Sequence, residues 1–120
     1  MMGATTNLDR AEFMVVFSVL YPASNGAKFD KAYYDETHIP LVKAAFTSTG
    51  LTGVRVLHGL SAGGGGSAPY VAMAHLEFAS PEALQASLGG ARAGEVMADI
   101  ANFTDIQPIT QVSAPLTHSS

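Results

Sequence analysis

The sequence predicts an α+β domain of four strands and two helices, ordered strand, helix, strand, strand, helix, strand, with both helices on one face of an antiparallel sheet. Three observations predict it. Runs at 12–21, 53–60 and 70–78 alternate at the two-residue period of a strand, and helix-forming stretches with start or stop residues follow the first and third of them. The chain of 120 residues is long enough for one core and gives no sign of a second.

The first strand is expected from Glu12 to Tyr21 and is apolar on both faces, with Phe13, Val15, Phe17 and Val19 on one and Met14, Val16, Ser18 and Leu20 on the other. Both faces therefore need cover. Pro22 to Gly26 is a turn cluster, and a helix is read from Phe29 through Val42, continuing through Phe46 to a stop at Gly50. Pro40 lacks an N–H donor and crowds the carbonyl of Glu36, so that helix is expected to kink or restart near Thr37 or His38. The second strand is read from Gly53 to Leu60, with Val54, Val56 and His58 on one face and Arg55 and Leu57 on the other. Four consecutive glycines, Gly63 to Gly66, then predict a mobile loop. A phosphate cradle does not fit there, since no Lys-Ser/Thr pair or helix start follows.

The third strand, Tyr70 to Phe78, sets Tyr70, Ala72, Ala74, Leu76 and Phe78 against Val71, Met73, His75 and Glu77, and its small alanines leave room above their face. Ser80-Pro81-Glu82 is a helix start with an N-cap, a proline in the first turn and an acid against the dipole. This helix should pause at Gly89-Gly90 and resume from Ala91 to about Phe103. Ile106 to Val112 is the last strand, and Pro108 demotes it to an edge or a bulge. The domain is placed at 11–116, between a flexible arm, 1–10, and a tail, 117–120, that includes His118.

This order is the split βαβ, ferredoxin-like plan. Its helices cover one sheet face, so the other, also apolar in strands one and three, needs a partner. A second copy is the simplest one, which makes the expected assembly a homodimeric α+β barrel. At roughly 25 cal/mol per Å², a few hundred Å² of that face left in water would forgo several kcal/mol. The composition agrees, with 48% hydrophobic and only 13% charged residues.

A net charge of −4 with six scattered Lys and Arg argues against nucleic acid and anionic membranes as partners. The absence of cysteine excludes disulfides, thiolate nucleophiles and iron–sulfur clusters and suits a reducing compartment. The apolar run 13–21 is too short to cross a bilayer, and 1–10 lacks the order of a signal peptide, so a cytoplasmic location is expected.

Candidate chemistry gathers on the first helix, where Tyr33, Tyr34 and His38 fall within six residues. His38 and Tyr34, four apart, share a side of an unbroken helix and make a base and acid pair for proton transfer. Phe29 and Tyr33 fall on the opposite side, so either pair can face the sheet but not both. The plainer alternative is a histidine serving the helix dipole among packing tyrosines. Tyr70 is a candidate for the cavity floor. His58 and His75 lie on strands that form a hairpin, where they can approach each other, but no H-x-H or H-E-x-x-H spacing supports a metal site with His38 and Glu77, and none is expected. No nucleotide or flavin fingerprint and no nucleophile elbow is present, so no cofactor is expected either.

The pattern Phe29, Tyr33-Tyr34, His38, Pro40-Leu41 resembles the signature of EthD-domain proteins, and 95–100 with 102–105 resembles that family's C-terminal part. The resemblance implies the dimeric ferredoxin-like barrel and a cavity between helices and sheet. It also implies site residues at Tyr34, His38 and Pro40 with Tyr33 and Phe29 beside them. The family is named for ethyl tert-butyl ether degradation, in which members accompany a haem-containing oxidising system, and related members resemble cofactor-free enzymes acting on phenols, quinones or lactones. Two functions follow as expectations. One is a cofactor-independent enzyme, an oxidoreductase, monooxygenase or isomerase, acting on a hydrophobic aromatic or carbonyl-bearing metabolite with His38 as acid/base. The other is a non-catalytic binding or accessory protein of such a haem monooxygenase system.

Overall fold

The computed structural model describes residues 14–116. The arm 1–10, residues 11–13 and the tail with His118 lie outside the described residues. Four strands, β1 (Val15–Pro22), β2 (Leu51–His58), β3 (Tyr70–Phe78) and β4 (Ile109–Ser113), form one sheet in the order β2-β3-β1-β4. All three pairings are antiparallel. Helix α1 (31–46) connects β1 to β2, and α2 (Pro81–Leu88) and α3 (Ala93–Asp99) connect β3 to β4. This is the ferredoxin-like arrangement, with the three helices on one face.

Local chemistry sets the boundaries. The Asp30 carboxylate accepts from the Tyr33 N–H at 3.1 Å, so α1 starts at Lys31 and Phe29 lies before the helix, in a β-bridge with Thr104. Gly50, at φ 115°, ends the connection to β2 in a conformation that side-chain-bearing residues rarely adopt. Ser80 Oγ accepts from the Ala83 N–H at 3.0 Å, with Pro81 in the first turn of α2. Helix α3 begins at Ala93, two residues later than expected, and passes through a 3₁₀ turn, Ile100–Asn102, to Phe103. Strand β4 starts just after Pro108 and is an edge strand, paired among the described residues only to β1. Strand β2 lies two residues earlier than expected. The glycine run folds back on itself, the Ala62 N–H donating to the Gly66 carbonyl at 3.1 Å and the Gly65 N–H to the Ala62 carbonyl at 3.0 Å.

Alternation decides the two faces. Val15, Phe17, Val19 and Tyr21 of β1 and Ala72, Ala74, Leu76 and Phe78 of β3 face the helices, where Val42, Phe46, Leu84 and Val96 pack on them. At one end of that layer a second cluster is aromatic, with Tyr21, Tyr34 and Phe103 around Ala72 and Ile39. No helix among the described residues lies on the other face. Pairing register lays its side chains in rows across all four strands, Arg55, His75, Ser18 and Gln111 in one and Leu57, Met73, Leu20 and Ile109 in the next. The first row is polar and the second wholly apolar. Within the polar row Ser18 Oγ lies 2.7 Å from His75 Nδ1.

Pro40 does not break α1. The helix runs from an α turn, Lys31–Tyr33, through a π-helical turn, Tyr34–His38, into Ile39–Phe46. The Ile39 N–H donates to the Tyr34 carbonyl, a bond spanning five residues. Pro40 falls in the first turn after this widened one, where its missing donor is tolerated.

Candidate active site

A cavity of about 310 Å³ lies between the helices and the sheet. Phe17, Val19 and Tyr21 of β1 and Ala74 and Leu76 of β3 form its floor. Tyr34, His38, Ile39, Val42 and Phe46 of α1 form one wall, and Ala93, Val96 and Met97 of α3 the other. Leu88, Ile100, Pro108 and Thr110 complete the lining. The room above the β3 alanines comes from Ala74 at the floor, while Ala72 packs in the aromatic cluster. Nearly all the lining is carbon, so His38 stands out as the cavity's ionisable imidazole.

His38 is 4% exposed, and its Nδ1 lies 2.8 Å from Oδ2 of Asp99, the last residue of α3. The carboxylate accepts there, so Nδ1 carries the hydrogen. The other oxygen, Oδ1, accepts from the Tyr33 hydroxyl at 2.7 Å and from Asn102 Nδ2 at 3.0 Å. Burial lowers the His38 pKa, and the Asp99 contact offsets only part of that, so the imidazole is neutral at pH 7. Burial raises the Asp99 pKa, but the hydrogen bonds from Tyr33, Asn102 and His38 outweigh it and hold the carboxyl below its ordinary value. The bond to Asp99 in turn raises the pKa of Tyr33.

Aromatic rings fix this arrangement. Tyr34 stacks on His38 with centroids 5.8 Å apart and planes 18° from parallel. Phe103, fully buried, packs at 4.6 Å from His38, 5.0 Å from Tyr34 and 5.3 Å from Phe29. The hydroxyl of Tyr34 is buried and has no hydrogen-bond partner among the described residues. Burial raises the pKa of both Tyr34 and Tyr21 strongly, so each hydroxyl stays protonated.

Of the residues expected at the site, Tyr34 and His38 line the cavity and Tyr33, Phe29, Pro40 and Tyr70 do not. Tyr33 reaches sideways to Asp99, and Phe29 backs Tyr34 from outside the helix. The supposed choice between the two pairs dissolves, because Phe29 is not on the helix and Tyr33 is turned toward α3. Pro40 is exposed. Tyr70 pairs with Pro22 beyond a register irregularity, at the end of the sheet and past the aromatic cluster. His58 and His75 do not approach each other: His58 is on the helix face, bonded through Nε2 to Asp35 at 2.8 Å, and His75 is on the opposite face. No group of three or more metal-ligating side chains occurs among the described residues. Asp99 and Phe103 escaped the sequence reasoning, although both fall within the C-terminal segments that carried the resemblance. An acid at the last residue of a helix, against the dipole, was the available signal.

The EthD domain model matches residues 27–107, which include every residue of this cluster except Tyr21. The chain belongs to the EthD family. Among solved structures it is similar to an EthD-like protein from Ralstonia eutropha JMP134, at 34% identity over 91% of this chain and 97% of that one, with a TM-score of 0.81. An ethyl tert-butyl ether (EthD) family protein from Bacillus halodurans C-125 shares the fold at 20% identity, covering 86% of this chain and 99% of that one, with a TM-score of 0.70. A dimeric protein of ferredoxin-like fold from Bacteroides fragilis NCTC 9343 shares it at 10% identity, 85% and 96% coverage and a TM-score of 0.53. A comparison with functionally curated proteins found no match. No helix among the described residues is long and apolar enough to cross a membrane.

Proposed function

We propose that this EthD-family protein is a small cofactor-independent enzyme that moves a proton on a hydrophobic aromatic or carbonyl-bearing metabolite. The observation that carries the reading is a neutral imidazole buried in the wall of an apolar cavity, its Nδ1 already bonded to a carboxylate. Nε2 of His38 takes a proton from a phenolic O–H or from the carbon beside a carbonyl, and the electron pair stays on the substrate as phenolate or enolate. The hydroxyl of Tyr34, protonated and without a partner among the described residues, is closed off in the unliganded protein and bonds the developing oxyanion once a ligand turns it toward the cavity. Return of the proton to a different carbon is an isomerisation. Attack of the same carbanion on dioxygen gives a hydroperoxide, and loss of water from it leaves one oxygen on the substrate carbon as a carbonyl, the monooxygenase outcome.

The assembly proposed is a homodimer joined through the helix-free sheet face. The apolar row Leu57, Met73, Leu20 and Ile109 needs cover, and the opposite charges of Arg55 and Glu77 on the same face suit a surface that meets its own copy. The Bacteroides fragilis relative of this fold is described as dimeric.

The scarcity of polar lining favours a second reading, a carrier that delivers an apolar molecule to a separate oxidising enzyme. Screening phenols, quinones and enolisable ketones under air, with solvent-deuterium incorporation as readout, separates the two. The enzyme reading expects turnover that His38→Gln abolishes while ligand affinity stays within about threefold. Binding without turnover by the wild type gives the carrier reading instead.

A further inference from the structure

Asp99 is an acid placed where its own helix does not favour one. As the last residue of α3 it sits at the negative end of the helix dipole, and it makes no ion pair with a lysine or arginine among the described residues. Its side chain is only 12% exposed. Removing a carboxylate from water at such a place is costly unless its oxygens are bonded, and here both are. Oδ2 takes the hydrogen on His38 Nδ1, and Oδ1 takes the Tyr33 hydroxyl and the Asn102 amide, which also lies 3.4 Å from the Tyr33 oxygen.

We infer that Asp99 is the positioning residue for His38, with Tyr33 and Asn102 clamping its carboxylate, so that the imidazole presents an unprotonated Nε2 to the cavity. The inference rests on the reading of His38 as the cavity's base and extends it to three residues, none of which lines the cavity. A neutral imidazole has one N–H, and an acceptor-only carboxylate at Nδ1 assigns that hydrogen to Nδ1. Nε2, which has no hydrogen-bond partner among the described residues, is then the lone pair available to a ligand.

The clamp has two consequences. An aspartate side chain rotates about its terminal bond, and a carboxylate held only by the imidazole can turn away from it. Two donors on Oδ1, from α1 and from the turn after α3, fix its plane. They also draw negative charge toward Oδ1, so the proton stays on His38 rather than passing to Asp99. Tyr33 is half-buried and Asn102 exposed, so the cluster connects the buried imidazole to the surface without opening the cavity.

The test is long-range ¹H–¹⁵N correlation of the imidazole nitrogens in the uniformly labelled intact protein, which reads tautomer and titration without any substrate. The wild type should show His38 protonated at Nδ1 and bare at Nε2 at pH 7.5. Asp99→Ala should move the hydrogen mainly to Nε2 and shift the His38 titration midpoint down by about 1 pH unit. If Asp99→Ala does not fold, the isosteric Asp99→Asn should abolish the single Nδ1–H form. Tyr33→Phe, which keeps the ring, should leave the fold intact and shift the midpoint up, because Asp99 then concentrates its charge on His38.

A wild-type hydrogen on Nε2, or an Asp99 variant with an unchanged tautomer, overturns the inference. A Tyr33→Phe titration superimposed on the wild type removes Tyr33 from the clamp. The functional reading fails separately: the stated tautomer with no turnover on any probe defeats only the enzyme, and a reversed tautomer with His38-dependent turnover defeats only this inference.

Discussion

Tyr34 lies stacked on His38, and its hydroxyl, shut away from solvent, bonds to nothing among the described residues. A buried polar group without a partner costs about 1–3 kcal/mol. In a protein without ligand, Tyr34→Phe is therefore expected to raise the unfolding free energy by about 1 kcal/mol, measured by urea titration. Ligand affinity should fall in the same variant. A stability loss instead of a gain would show that the hydroxyl is satisfied in solution.

Phe103 holds the aromatic cluster together, touching Tyr21, Phe29, Tyr33, Tyr34 and His38. Phe103→Leu leaves part of the space filled and is expected to cost about 2 kcal/mol, whereas Phe103→Ala should cost about 3–5 kcal/mol. The checks are chemical denaturation and, for the leucine variant, loss of the dispersed His38 ring signals.

Acid should weaken the fold through His38. Burial holds its pKa below the ordinary 6.5, so the unfolded chain binds a proton that the folded chain refuses, and stability falls as pH drops through that ordinary value. Asp99 acts in the same direction at lower pH. Its contribution is present above the ordinary carboxylate value of 3.8 and is lost as pH falls through its own lower one. The difference in Tm between wild type and His38→Gln should therefore change with pH between 7.5 and 5.5, in the sense that the wild type loses more on acidification.

Gly50 tests the fold away from the site. Its φ of 115° is strained for any side chain, and a Cβ there would run into the Ala83 Cβ. Gly50→Ala is expected to cost at least about 1–3 kcal/mol by thermal or chemical unfolding. Gly64→Ala, whose Cβ meets open space, should be nearly neutral.

The helix-free face gives the last expectation. Met73→Arg, in the middle of the apolar row and away from the cavity, should shift the sedimenting species from dimer toward monomer while the circular dichroism spectrum is kept. A wild type that sediments as a monomer at micromolar concentration would remove the proposed dimer.

Much of this fold was legible because its signals are local. Alternation in 15–21 and 70–78, the Ser80-Pro81 start and the Gly50 stop each act within a few residues, and the succession of elements along the chain follows from them. The site was half legible. Tyr34 and His38 are four apart on one helix, so their meeting is a short-range fact. The partnership of His38 with Asp99 spans 61 residues and depends on how α3 packs beside α1, which no spacing encodes. Tyr70 misled because strand alternation gives its face but not its distance from the aromatic cluster. Pro40 marked the place of the irregularity but not its form. The chain accommodates its missing donor by widening the preceding turn rather than by breaking the helix.

That widened turn ties the histidine's aim to a count of residues. Were the same residues wound as an ordinary α-helix, everything before the turn would rotate by about 100° relative to everything after. Tyr33 could then no longer reach across to α3 while His38 kept its place. The spare residue in that turn is thus an indexing pin: it sets the angle between the half of the helix that faces the ligand space and the half that grips the carboxylate.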